Sequence, residues 1–248
     1  MSTVTVPPPA RVSAAVLDLG SGRSAGYGDA AFDTASIVKV GILAALLLRA
    51  QDTDRRLTAA EEAYATAMIE DSDNASASAL WDAIGRADGL DAANRRFGLT
   101  GTGGGDGTLW GLTRTTAADQ LTLLRQVFGA RPEDSKLTGA SRAYLRGLME
   151  NVRPDQRWGV SAAGDGSPCA LKNGWLPRGT TGLWVVNSIG RVTVDGTGCL
   201  VAVLSDGNAS RAEGIALVEA AAKAAVSSFA RPAPPPAGQP GAARLSAR

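Results

Sequence analysis

The order of apolar patterns along the chain predicts an α/β fold of the α+β kind, with strands from both ends forming one sheet around an inserted helical lobe. Three observations predict it. Strand-like segments lie near the start, a long middle stretch alternates helix-like segments with Gly-rich loops, and β patterning returns after Gly166 before a closing helix.

Arg11 to Leu19 reads as the first strand, with Val12, Ala14 and Val16 on one face; Gly20 to Gly28 reads as a hairpin turn, with a second short strand to follow. Ala35 to Ala50 reads as a long apolar helix whose first turn Asp33 and Thr34 can cap. Helices are expected over Thr58–Ile69, Ala75–Ile84, Thr116–Phe128 and Ser141–Asn151, and the Thr116/Asp119 pair resembles a capping box. Cys169–Leu171, Leu183–Ile189 and Leu200–Leu204 are rich in residues that favour strands, and Ala212–Phe229 forms the last helix. Residues 1–10 and 231–248, rich in Pro, read as tails, the second disordered. Between them a single domain is expected over 11–230, its sheet part from 11–34 and 155–230 and its helical lobe from about 50–154.

Composition removes several classes of function. A chain of 248 residues that is 44% hydrophobic and 20% charged is globular. A net charge of +1 gives no footprint for nucleic acid or an anionic membrane. The apolar run Val40–Leu48 is far shorter than the roughly 20 residues of a membrane span. Met1–Val6 has neither the basic nor the apolar stretch of an export signal. With His at 0, Ser-His-Asp and Cys-His catalysis and most zinc sites are excluded, so any nucleophile must be activated by a lysine, a carboxylate or a backbone dipole. Cys169 and Cys199 read as two buried free thiols, bridged only if the chain meets an oxidising compartment.

Of 25 cationic residues only four are lysine: Lys39, Lys136, Lys172 and Lys223. Arg keeps its proton near neutral pH, whereas a buried Lys can lose it and act as a base. Lys136 and Lys223 read as surface positions. Lys39 follows Ser36 by three residues at the start of an apolar helix, so its amine can fold back onto the hydroxyl while burial lowers its pKa. Ser72-Asp73-Asn74 offers a hydroxyl next to an amide, or else an N-cap for the helix that follows. Lys172-Asn173-Gly174 puts a cation and a bare backbone at the end of a strand, or else forms an Asn-Gly turn. Alone, each of the three has a plain structural explanation; their order and spacing together do not.

S-x-x-K, S-D-N and a K-T-G-like triplet form the signature of class A β-lactamases and penicillin-binding proteins, and the sequence resembles that family over roughly Arg11 to Phe229. Thr115 to Asp119, Trp158-Gly159-Val160 and Trp184 to Asn187 add to the resemblance. It implies a five-stranded antiparallel sheet flanked by helices, with an all-helical lobe inserted. It also implies a groove where Ser36 forms an acyl-enzyme, Lys39 takes its proton, Ser72 returns a proton to the leaving nitrogen, and Asn74 orients Lys39 and the substrate amide. Lys172 would face a substrate carboxylate. Asn173, Gly174 and Trp175 would line the substrate, with the N–H groups of Ser36 and Trp175 as the oxyanion hole. The implied partner is a small molecule or peptide bearing a carboxylate, met by a monomer that the resemblance places outside the cytoplasm or at the cell envelope and that the lack of an export signal leaves open to the cytoplasm, with no cofactor and no metal. Arg178 and Arg191 read either as contacts for that carboxylate or as solvated strand-end charges.

Two departures limit the expectation. Asn173 replaces the usual hydroxyl residue of the third motif, and Ala75–Arg114 has no glutamate to activate a deacylating water, with exposed-looking Asp106 the nearest carboxylate. An efficient penicillin-destroying enzyme is therefore not expected. Slow acylation traps, peptidases, esterases and acyl-transferases remain open, as do a β-lactamase with another deacylation route and an inactive binding or envelope module.

Overall fold

A computed structural model describes residues 4–131, 133 and 135–229, so the tail expected over 231–248 lies outside the described residues. Its main sheet has the order β2-β1-β7-β6-β5, from Ser24–Tyr27, Arg11–Asp18, Thr197–Asn208, Trp184–Val194 and Ala170–Pro177, every pairing antiparallel. Strands from the two ends of the sequence meet where β1 pairs with β7, Val16 opposite Val201. A two-stranded ribbon pairs β3 (Phe32–Asp33) with β4 (Arg114–Thr115).

Both faces of the sheet are covered, and so β1 is buried along most of its length. Ala14 and Val16 pack with Val218 and Ala222 of α7 (Arg211–Ser227), while Ala15 and Leu17 join a larger core around α1 (Val38–Asp52). Helix α1 is buried all round except at Arg49 and its last two residues, which explains its nearly unbroken apolar sequence. Around it lie α2 (Ala59–Glu70), α3 (Asn74–Ile84), α4 (Arg86–Phe97), α5 (Ala117–Phe128) and α6 (Gly139–Glu150). Thr58 and Glu61 close a reciprocal capping box on α2, and Thr116 Oγ1 accepts from Asp119 N at 3.1 Å to start α5.

Several local expectations are corrected. The second strand, Ser24–Tyr27, lies inside the segment read as a turn. The helix expected from Ala35 opens as a 3-10 turn, Ala35–Ile37, with no side-chain cap from Asp33 or Thr34, and only then becomes α1. Asp33 instead takes Arg114 at 3.1 Å and Arg178 at 2.7 Å. Helix α4 was not anticipated. The third motif lies inside strand β5 rather than in a turn, Asn173 opposite Ser188 and Gly174 opposite Asn187. Cys169 and Cys199 are free thiols. Lys136 and Lys223 are exposed. Among the described residues no helix is long and apolar enough to cross a membrane.

Candidate active site

Ser36 is held in the 3-10 turn between β3 and α1, half-buried. Ala35 before it has φ +47, a left-handed conformation that costs a residue with a Cβ about 1 kcal/mol or more and survives only where the surroundings enforce it. The enforcement is visible. Buried Asn187 of β6 donates its amide to Asp33 O at 2.9 Å and Thr34 O at 3.0 Å, while its carbonyl accepts from Ser205 N at 3.0 Å. From the outer strand, Gly174 presses directly on the turn: a Cβ there would lie 2.7 Å from Ser36 N and 2.8 Å from Thr34 O. Only a glycine lets β5 come this close.

Lys39, the second residue of α1, is fully buried. Its ammonium donates to Ser72 O at 2.7 Å, Asn74 Oδ1 at 2.8 Å and Ser72 Oγ at 3.2 Å. Burial lowers its pKa to about 7, with Asp73 opposing the shift. Ser72, at φ +58, is the second strained residue of the site. Asp73 between the two contacts caps α3, accepting from Ser76 N at 2.7 Å, so the capping role and the polar pair coexist in one triplet.

From the opposite side Lys172, also fully buried, donates to Ser72 Oγ at 2.9 Å and Asn173 O at 3.1 Å. Burial and the charge of Lys39 hold its pKa well below that of a free lysine. The structure thus brings Lys39, Ser72, Asn74 and Lys172 into one hydrogen-bonded group, with Ser36 beside Gly174 at its edge. The Ser36 hydroxyl itself makes no hydrogen bond to a described residue. The expected fold-back of Lys39 onto it is replaced by three bonds toward the Ser72 loop, because two strong acceptors there outcompete one hydroxyl.

Asn173 is corrected in the same way. Residues alternate across a strand, so with Lys172 and Gly174 facing α1, Asn173 faces the other way. Its amide donates to Gln156 O at 2.7 Å and Trp158 O at 2.9 Å. The Trp175 ring points to that side too, 5.9 Å from the Trp158 ring and 4.1 Å beneath the Arg211 guanidinium. Neither side chain lines the site. Gln156, unremarked in the sequence, donates to Asp71 O at 3.0 Å and so ties β5 to the loop carrying Ser72. Arg178 is committed to Asp33, and Arg191 lies further along β6, opposite Ala170.

What reaches Lys39 from the 101–113 loop is Trp110, its ring centroid 4.9 Å from Nζ and its indole N–H donating to Ser78 Oγ at 3.1 Å. Asp106 is exposed. Among the described residues no group of His, Cys, Asp and Glu is placed to hold a metal ion.

This sheet and its helices form the fold shared by class A β-lactamases and penicillin-binding proteins. Superposed on PBP-A, the chain gives a TM-score of 0.76 at 22% identity, over 91% of this chain and 92% of that one. A PBP-A mutant in an acyl-enzyme complex with penicillin G gives 0.75 at 21%, over 90% and 91%. A β-lactamase from Xanthomonas campestris pv. campestris gives 0.71 at 24%, over 87% and 91%. No curated protein matches the sequence. Residues 60–229 match the Beta-lactamase enzyme family; the chain belongs to that family and is a β-lactamase-like serine hydrolase.

Proposed function

We propose that the protein forms an acyl-enzyme on Ser36 with a carboxylate-bearing amide, ester or β-lactam, and releases the acyl group slowly, to water or to an acceptor. One observation carries the reading: the Ser72 hydroxyl accepts from two buried lysines, Lys39 at 3.2 Å and Lys172 at 2.9 Å. A hydroxyl has two lone pairs and one proton. With both lone pairs occupied, the proton of Ser72 is left to point at a leaving group.

With a pKa of about 7, Lys39 is half neutral at neutral pH, and the lone pair gained on losing a proton is what Ser36 needs. The Ser36 Oγ–acyl carbon bond forms as the Ser36 proton passes to Lys39 Nζ. The bond from acyl carbon to leaving nitrogen or oxygen then breaks, Ser72 giving its proton to the leaving atom and taking one from Lys39. Negative charge on the carbonyl oxygen is met by the N–H groups of Ser36 and Trp175, each such donor contributing about 3 kcal/mol. Lys172, being buried, acts on a substrate carboxylate through its field and through Ser72 rather than by direct contact. Slow release follows from Trp110: the loop element over Lys39 is an indole, which cannot take a proton from water. The penicillin G adduct of the PBP-A mutant makes a penicillin the natural probe.

Intact-protein mass spectrometry after incubation with a fluorescent penicillin tests the reading. A lasting adduct on Ser36, absent in Ser36→Ala, is the expected result. Rapid turnover with no accumulating adduct would make the protein a β-lactamase with another deacylation route, and no reaction with any acyl donor would leave it a binding module.

A further inference from the structure

Three arginines from two elements converge on an open cavity of about 510 Å³ that is remote from Ser36. Arg142 and Arg146 come from α6 and Arg191 from β6, with Glu150 the single carboxylate on the lining. Three positive charges against one negative leave two uncompensated. Arg142 is 6% exposed and donates to Val127 O at 3.2 Å and to Gly129 O. Arg146 donates to Val127 O at 2.6 Å and lies 5.5 Å from the Phe128 ring centroid. These bonds cap the carbonyl end of α5, a sufficient structural reason for two of the three.

They do not account for the third. Arg191 makes no hydrogen bond or ion pair to a described residue, yet it is half-buried and its charge bears on Arg146, whose pKa burial, Arg142 and Arg191 together lower. Its guanidinium lies beside Gly198, where a Cβ would meet it at 3.0 Å. Three clustered cations with a single carboxylate among them cost stability unless an anion completes the set. On each of these arginines donors are left over, since a guanidinium carries five N–H groups and these use two, one and none.

We propose that this cavity binds the phosphate group of a small soluble phosphate ester, gripped by Arg142, Arg146 and Arg191. A phosphate monoester carries close to two negative charges at neutral pH, which matches the uncompensated pair, and its oxygens suit the planar fork of arginine. The cavity has room for more than inorganic phosphate, which is why an ester is the ligand class. The site is separate from the serine centre: Arg191 lies four residues along β6 from Asn187, about 13 Å.

Thermal unfolding of the full chain at constant ionic strength tests this, with glycerol 3-phosphate as probe, inorganic phosphate as the minimal anion and chloride as the control. A saturable rise in Tm with glycerol 3-phosphate, weaker with inorganic phosphate and absent with chloride, is expected. In Arg191→Gln the apparent affinity should fall by about tenfold or more, the loss of one charge-assisted contact, while penicillin acylation is retained. An equal rise with chloride, no rise at all, or an unchanged response in Arg191→Gln would overturn the proposal. Retained acylation shows that the variant has folded, and failure here leaves the serine chemistry untouched.

Discussion

Lys39 meets two opposing influences from one neighbour. The face of Trp110 attracts the ammonium, an effect of about 0.5–2 kcal/mol that favours the charged form. The same ring helps exclude water, and burial has moved the pKa from 10.5 to about 7, about 5 kcal/mol at 1.36 kcal/mol per unit. Exclusion of water is the larger effect. With Lys39 as the proposed base, which must be neutral to accept the Ser36 proton, acylation by a fluorescent penicillin should rise with pH to a plateau, with its midpoint near 7. Trp110→Ala, by admitting water, should move that midpoint upward by about one unit and shorten the lifetime of the adduct. A downward shift in the stopped-flow pH profile would show that the ring acts mainly through its π face. Ser36, Lys39 and Ser72 could be picked out from the sequence as candidates because each motif lies within four residues and carries its own chemistry. Trp110 could not, since only the folded loop brings an indole from 71 positions away; its one signal was a tryptophan in a Gly-rich stretch before the Thr-Thr helix.

The 3-10 turn carrying Ser36 is an element that cannot hold its own shape. Ala35 at φ +47 would relax if the turn were released, and the holders come from strands more than 130 residues away. Asn187→Ala removes two donors and leaves Asp33 O, Thr34 O and Ser205 N without their partner in a buried setting. Stability should fall by about 2–4 kcal/mol in urea denaturation, and acylation per folded molecule should fall at least about tenfold as Ser36 swings off the Gly174 edge. An unchanged rate per folded molecule would mean that β5 alone fixes the nucleophile. At this scale the sequence was legible where apolar periodicity was strong and opaque where it was not. Helix α4 escaped because Arg86, Asp88, Gly89, Asn94, Arg95 and Arg96 mask a narrow stripe of Leu90, Ala93 and Phe97. The turn read over Gly20–Gly28 hid an edge strand whose four residues are all exposed and so show no alternation. The direction of Asn173 was available in principle: once Lys172 faces the serine, pleating sends its neighbour away.

Across the whole molecule, the two core clusters flank one sheet, and the two buried lysines lie where α1, the Ser72 loop and outer strand β5 converge. A fold stabilised by apolar burial on both faces of a sheet has no structural need for cations there, and neither lysine has a carboxylate within hydrogen-bonding distance among the described residues. In the proposed mechanism their presence is a cost that the fold bears for chemistry. The sign of that cost fixes its pH dependence. Lys172 has a folded pKa depressed below its unfolded value, so between the two the unfolded chain binds more protons and wild-type stability rises with pH. Lys172→Met keeps much of the volume and removes the charge. It should be more stable than wild type at pH 7 by about 1–4 kcal/mol, the advantage shrinking as pH climbs toward 10 and the unfolded lysine also loses its proton. The penicillin adduct should form far more slowly, because Ser72 keeps only one of its two donors. A variant less stable than wild type at pH 7 would mean that the Lys172–Ser72 bond outweighs desolvation, and that the lysine holds the fold together in addition to its proposed part in the reaction.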